Sequence, residues 1–124
     1  MMLANPYQKY QHNQVETSTP GKLLLMLYNG ALKFIREARK AAEEKNIEKV
    51  NNKIGRAQDI IFELMSSLNF EQGKIAENLY ALYDYMNQRL IEANIKKDDK
   101  ILAEVEGMLE SLRDTWKEAI LNNN

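Results

Sequence analysis

Histidine does most of the acid–base and metal work of proteins near neutral pH, and this chain has a single one, His12. It stands in a polar stretch between Gln8 and Gln14 and reads as a solvated loop residue. A di-metal site in a helical bundle needs inward carboxylates and Glu-x-x-His pairs. Neither pattern occurs, because no second His exists and no carboxylate falls on the apolar helix seams described below. The absence of Cys removes thiolate metal sites, disulfides and a thiol nucleophile. Gly21, Gly30, Gly55, Gly73 and Gly107 are isolated, so no phosphate-cradling loop is present. Acids and bases alternate to a net charge of −1, which leaves no basic stripe for nucleic acid. A basic amphipathic membrane helix is missing too, and no apolar run reaches the ~20 residues of a span. The reading is a non-enzymatic protein with no catalytic residue, cofactor or metal, and no membrane insertion.

What remains able to act is apolar and aromatic surface. From Pro20 to Ala42, a wheel turning about 100° per residue gathers Leu24, Tyr28, Ala31, Ile35, Ala38 and Ala42 into one stripe. Leu23, Leu27 and Phe34 widen it on one side, and Leu25 and Leu32 on the other. About half the circumference is apolar, more than the ~100° a surface helix needs. The excess must be covered by another piece of the chain or by another protein. Thr19-Pro20 is a start signal for this helix, which is expected to run to about Glu44.

Asn46 is a cap for a second helix with seam Ile47, Val50, Ile54, Ala57, Ile61, Leu64 and Leu68. Asn69 to Gly73 reads as a turn. A third helix from Gly73 to Ala93 has the stripe Ile75, Leu79, Leu82, Tyr83, Met86, Leu90 and Ala93, with Asn94 to Lys97 as a polar connection. Asp98 caps a fourth helix with seam Leu102, Val105, Leu109, Leu112, Trp116 and Ala119. No alternating strand pattern appears. The fold class is all-α: an antiparallel up-down four-helix bundle over 17–124, preceded by a flexible, extended or short helical segment, 1–16. Gly30 and Gly55 inside helices cost about 1 kcal/mol each, and imply either close helix packing or room for a partner chain.

The expected contact residues follow from surplus apolar surface. In the N-terminal segment, Tyr7, Tyr10 and Val15 are apolar anchors able to lie over a groove. In the first helix the candidates are Leu23, Met26, Leu27 and Tyr28. In the third they are Tyr80, Tyr83, Tyr85 and Ile91, of which Tyr83 also fits a core position. A chain built this way binds helices or extended peptides, and the alternative is a module that self-associates through the same surface.

The run Tyr10, Val15, Thr17, Thr19-Pro20, Leu23-Leu24, Met26-Leu27-Tyr28, Gly30 and Ala31 resembles the opening signature of the FliS family of flagellin export chaperones. Gly73, Ile75, Leu79, Leu82-Tyr83-Asp84-Tyr85-Met86, Arg89-Leu90 and Ala93-Asn94 extend the resemblance through the third helix. Ser18 departs from the pattern, where Ala is common. The resemblance implies a cytoplasmic chaperone whose client is the disordered C-terminal segment of flagellin, held back from premature polymerisation and wrapped around an antiparallel bundle. It also implies that the N-terminal segment covers an apolar pocket when no client is bound. Presentation to the cytoplasmic part of the export gate is implied as well, as is a flagellin-binding assembly factor as a further partner.

Overall fold

The computed structural model describes residues 20–122, nearly all of them helical. Helix α1 spans Pro20–Glu43, α2 Ile47–Ser66, α3 Lys74–Lys96 and α4 Asp99–Asn122, with a 3-10 turn, Phe70–Gln72, between α2 and α3. Each helix packs on its sequence neighbours and α4 closes back on α1; among the described residues neither diagonal pair of backbones comes together. Short links make consecutive helices antiparallel, so the architecture is the expected up-down-up-down four-helix bundle.

The two ends are built differently. At one end, α1 turns into α2 and α3 into α4 through the same device. The N–H of Asn46 reaches back to the Ala41 carbonyl and that of Asp98 to the Ala93 carbonyl, each around a left-handed residue, Lys45 (φ 59) and Lys97 (φ 52). The next helix is capped at once: Asn46 Oδ1 accepts from the Lys49 N–H, and Asp98 Oδ1 from the Lys100 N–H. Lys97 also ties its link to α2 and α3 by donating to Asn51 and Asn94. At the other end the Ser67–Gly73 link is longer, and Asn69 Oδ1 caps its 3-10 turn by accepting from the Glu71 N–H. There Gly73 takes φ +71 and ψ −128, a conformation that favours glycine, to launch α3.

The core runs through the bundle from Leu27, Tyr28 and Leu32 of α1 to Leu102, Val105 and Leu109 of α4. The seams read from the sequence supply most of it, with corrections. Ile47 is 53% exposed because it is the first residue of α2 and no preceding turn covers it. Ile75 is 65% exposed for a different reason, taken up below. Ala41, Ile60, Ala76 and Ile101 are buried though they lie outside the seams. Asn87 is buried as well; its Nδ2 donates weakly to Met65 Sδ at 3.9 Å and its Oδ1 has no partner among the described residues. Helix α3 continues through Lys96, so the polar connection expected from Asn94 is its last turn. A Cβ at Gly55 would meet nothing within 4 Å, so close packing does not explain that glycine.

Ion pairs cross the seams that do not face the longer link. Arg36 donates to Glu106 and Glu110 at 2.8 and 2.6 Å, and Arg39 to Asp99 and Glu106 at 2.9 and 2.7 Å, which clasps α1 to α4. Arg89 joins α3 to Glu104 of α4 at 2.8 Å. Burial raises the Glu106 carboxyl, but the Arg36 and Arg39 hydrogen bonds outweigh it and leave the group below the ordinary carboxylate value.

Candidate functional site

The end with the longer link is open. Its pocket, about 460 Å³, takes Pro20, Leu23, Leu24 and Leu27 from the start of α1, and Ile75, Ala76, Leu79 and Tyr83 from the start of α3. Leu68 of the link and Trp116 of α4 complete the apolar wall, with Ser67, Asn69 and Gln72 at the rim. The placement follows from the topology. An up-down bundle brings the beginnings of α1 and α3 and the ends of α2 and α4 to one end. Leucine at several consecutive positions of α1 then faces more directions than its two neighbours, α2 and α4, can cover. Ile75 is exposed because it stands in this wall. The pocket's volume falls within the range of ligand-binding clefts.

Beneath it lies a polar chain. Trp116 Nε1 donates to Tyr28 Oη at 3.1 Å, and the Tyr28 and Tyr83 hydroxyls are hydrogen-bonded to one another. This links α4, α1 and α3 through the interior, across the diagonal that the backbones do not bridge. Burial pushes both phenols above their ordinary pKa, so both keep their protons at any working pH.

The expected contact residues therefore separate. Leu23, Leu27 and Tyr83 come together in the pocket. Tyr28 does not line it: with no exposed surface it is a core residue, because it sits at the centre of the α1 stripe. Met26 is partly covered and lies outside the pocket lining. Tyr80 is exposed on the side of α3 facing the link, where its ring lies 5.8 Å from that of Phe70. Tyr85 is on the opposite side of α3, donating to Glu104 of α4 at 2.6 Å. Ile91 is exposed farther along α3. Tyr7, Tyr10, Val15 and the Thr19 cap lie outside the described residues. Leu24, Leu68, Leu79 and Trp116 belong to the pocket although the sequence marks them only as seam residues; the signal was an aromatic near the end of a seam, whose indole N–H needs a partner.

Among the described residues there is no group of three or more His, Cys, Asp or Glu side chains placed to hold a metal, and no helix long and apolar enough to cross a membrane. A family model described as flagellar protein FliS matches residues 3–123. A relative from Bacillus subtilis, named flagellar secretion chaperone FliS, is 51% identical over 97% of this chain and 90% of its own. The protein of the same name from Salmonella typhimurium is 34% identical over 95% of this chain and 92% of its own. Among solved structures, a crystal structure of a bacterial flagellar chaperone superposes with a TM-score of 0.79 at 21% identity, covering 94% of this chain and 96% of that one, which shows a shared fold.

Proposed function

The chain belongs to the FliS family of flagellar proteins, and we propose that it is a cytoplasmic chaperone for the C-terminal segment of flagellin. The observation that supports this most is the open, apolar end of an otherwise well-clasped bundle. A disordered client segment with an unpartnered apolar stripe finds there the surface it lacks alone. Ordering the client costs ~2–5 kcal/mol or more. Burial at about 25 cal/mol per Å² of apolar surface opposes that cost. A client that wraps buries much area in many weak steps, so it is held firmly as a whole and released piece by piece, with no nucleotide chemistry.

In this reading Leu23, Leu27 and Tyr83 form the client's main seat, while Met26, Tyr80, Tyr85 and Ile91 are flanking contacts. Tyr28 serves from below, through Tyr83 and Trp116. Pro20 is itself a wall residue, and the segment that precedes it, with Tyr7, Tyr10 and Val15, serves as a latch that the client displaces. Held this way, flagellin does not polymerise early and is presented to the cytoplasmic part of the export gate, with a flagellin-binding assembly factor as a further partner.

Calorimetric titration with a peptide of flagellin's C-terminal segment tests the proposal. Saturable one-to-one binding with a negative heat-capacity change and gained helix by circular dichroism is expected. A well-folded protein that ignores the peptide and sediments as a dimer would replace the chaperone with a self-associating module.

A further inference from the structure

Helix α4 is held unevenly along its length. Up to Glu110 it buries Ile101, Leu102, Val105 and Leu109 and carries the ion pairs from Arg36, Arg39 and Arg89. Beyond Glu110 no residue through Asn122 is fully buried, and Leu112 and Trp116 pack against the core only in part. Polar side chains there bond within the helix, Arg113 to Asp114 and Thr115 to the Ser111 carbonyl. Among the described residues one side-chain hydrogen bond ties this half to another helix, that from Trp116 Nε1 to Tyr28 Oη at 3.1 Å.

The two partners of that bond are unlike. Tyr28 is a fixed post: it has no exposed surface, shares the core face of α1 with buried Leu27, Ala31 and Leu32, and its hydroxyl is also bonded to that of Tyr83. Trp116 is only partly buried, and among the described residues of α4 it alone lines the pocket. Its indole N–H can only donate. Without the Tyr28 oxygen, that N–H either goes unpaired beside the leucines of the wall or turns out to water and takes the ring with it.

We infer that Tyr28 is a positioning residue for client binding: by accepting from Trp116 it pins the indole, and the last turns of α4 that carry it, where they form the pocket wall. A wall already in place spares the client the ordering of a loose aromatic side chain on arrival. The pin also gives a reason for a tyrosine at the centre of the α1 stripe, where the ring of a phenylalanine would fill the same core space. Tyr28 touches no client in this arrangement and acts only through Trp116.

This inference rests on the pocket being the client's seat, and the test separates the two claims. Trp116 is the chain's one tryptophan, so its fluorescence reads the wall directly. Full-length wild type, Tyr28→Phe, Trp116→Phe, the double variant and Leu102→Ala, a closed-end control for lost stability, are titrated with the flagellin C-terminal peptide where each is fully folded. Tyr28→Phe is expected to open Trp116 to acrylamide quenching and to weaken binding about three- to tenfold, the worth of one net hydrogen bond. The double variant should bind no more weakly than Trp116→Phe alone, because the post then has nothing to hold. Leu102→Ala should keep the quenching and affinity of wild type. Wild-type quenching or affinity in Tyr28→Phe, an additive loss in the double variant, or an equal loss of affinity in Leu102→Ala would each overturn the role of Tyr28 while wild-type binding upheld the seat. Absence of wild-type binding would overturn the seat and with it the service to the client, whereas quenching needs no client and still decides whether Tyr28 pins the wall.

Discussion

The two ends of this bundle are made from the same helices and do opposite things. At the closed end, two matched tight turns, two immediate caps and the Arg36–Arg39 clasp hold the helices together, and the apolar side chains left exposed there, Ile47 and Ile95, line none of the pocket. At the open end the link is longer, α4 is only partly buried beyond Leu109, and leucines with no helix to cover them line a pocket. Stability is concentrated where the chain turns tightly and binding surface where it does not. A small chaperone needs that division, because a client that had to unfold its holder would compete with the holder's own core.

Truncation should separate the ends most strongly. Leu102→Ala, in the closed-end core, is expected to cost about 2–5 kcal/mol in urea unfolding while the folded fraction keeps its client affinity. Leu24→Ala, in the pocket wall, should cost only ~1–2 kcal/mol yet weaken client binding. Equal losses in both properties at both sites would break the comparison.

Acid should act on the closed end. Glu106 and Glu104 are held below the ordinary carboxylate value, Glu106 by Arg36 and Arg39 against the effect of its burial, and Glu104 by hydrogen bonds from Tyr85 and Arg89. Depressed carboxyls stabilise the fold above their unfolded pKa, about 4.3, and that contribution is lost as pH falls through the folded values. The urea midpoint should therefore drop below about pH 4.3. The drop should be shallower in Glu106→Gln, which itself starts about 1 kcal/mol less stable at neutral pH. An unchanged acid limb would remove the clasp from the account.

Relief of local strain should give smaller gains. Lys45→Gly frees a left-handed position, and Gly55→Ala adds a methyl into open space; each should stabilise by about 0.5–1 kcal/mol by thermal unfolding, with client affinity untouched. Smallest in stability is Tyr80→Glu, expected within about 0.5 kcal/mol of wild type because the side chain is exposed. A titration should nonetheless show weakened client binding, and unchanged affinity would take Tyr80 off the client's path.

Helix periodicity made the bundle legible, since a 3.5-residue seam reports which face is buried whatever covers it. The caps at Asn46 and Asp98 were legible for the same local reason. The sequence pattern could not say where along a seam the neighbours stop. Ile75 and Leu79 continue the α3 stripe without a break, yet they stand in the pocket wall, because the opening is set by the length of the Ser67–Gly73 link and the reach of α4. Leu23 and Leu27 were legible as surplus, and Tyr83, read as fitting a core position, is buried where it borders the pocket. Tyr28 was misplaced as a contact because its type suggested an interface while its place at the centre of the stripe put it in the core. Asn87 escaped because a polar residue on a buried face breaks the pattern by which faces are found.

Hydrogen exchange of the full chain, alone and saturated with the flagellin C-terminal segment, tests the division of labour most directly. The account predicts that protection gained on binding concentrates in residues 20–27 and 67–83 and around Trp116, with the Glu44–Asn46 and Lys97–Asp98 turns unchanged. Protection gained chiefly at those turns and along the Arg36–Glu106 seam would mean that the client sits on the closed end, and would contradict it.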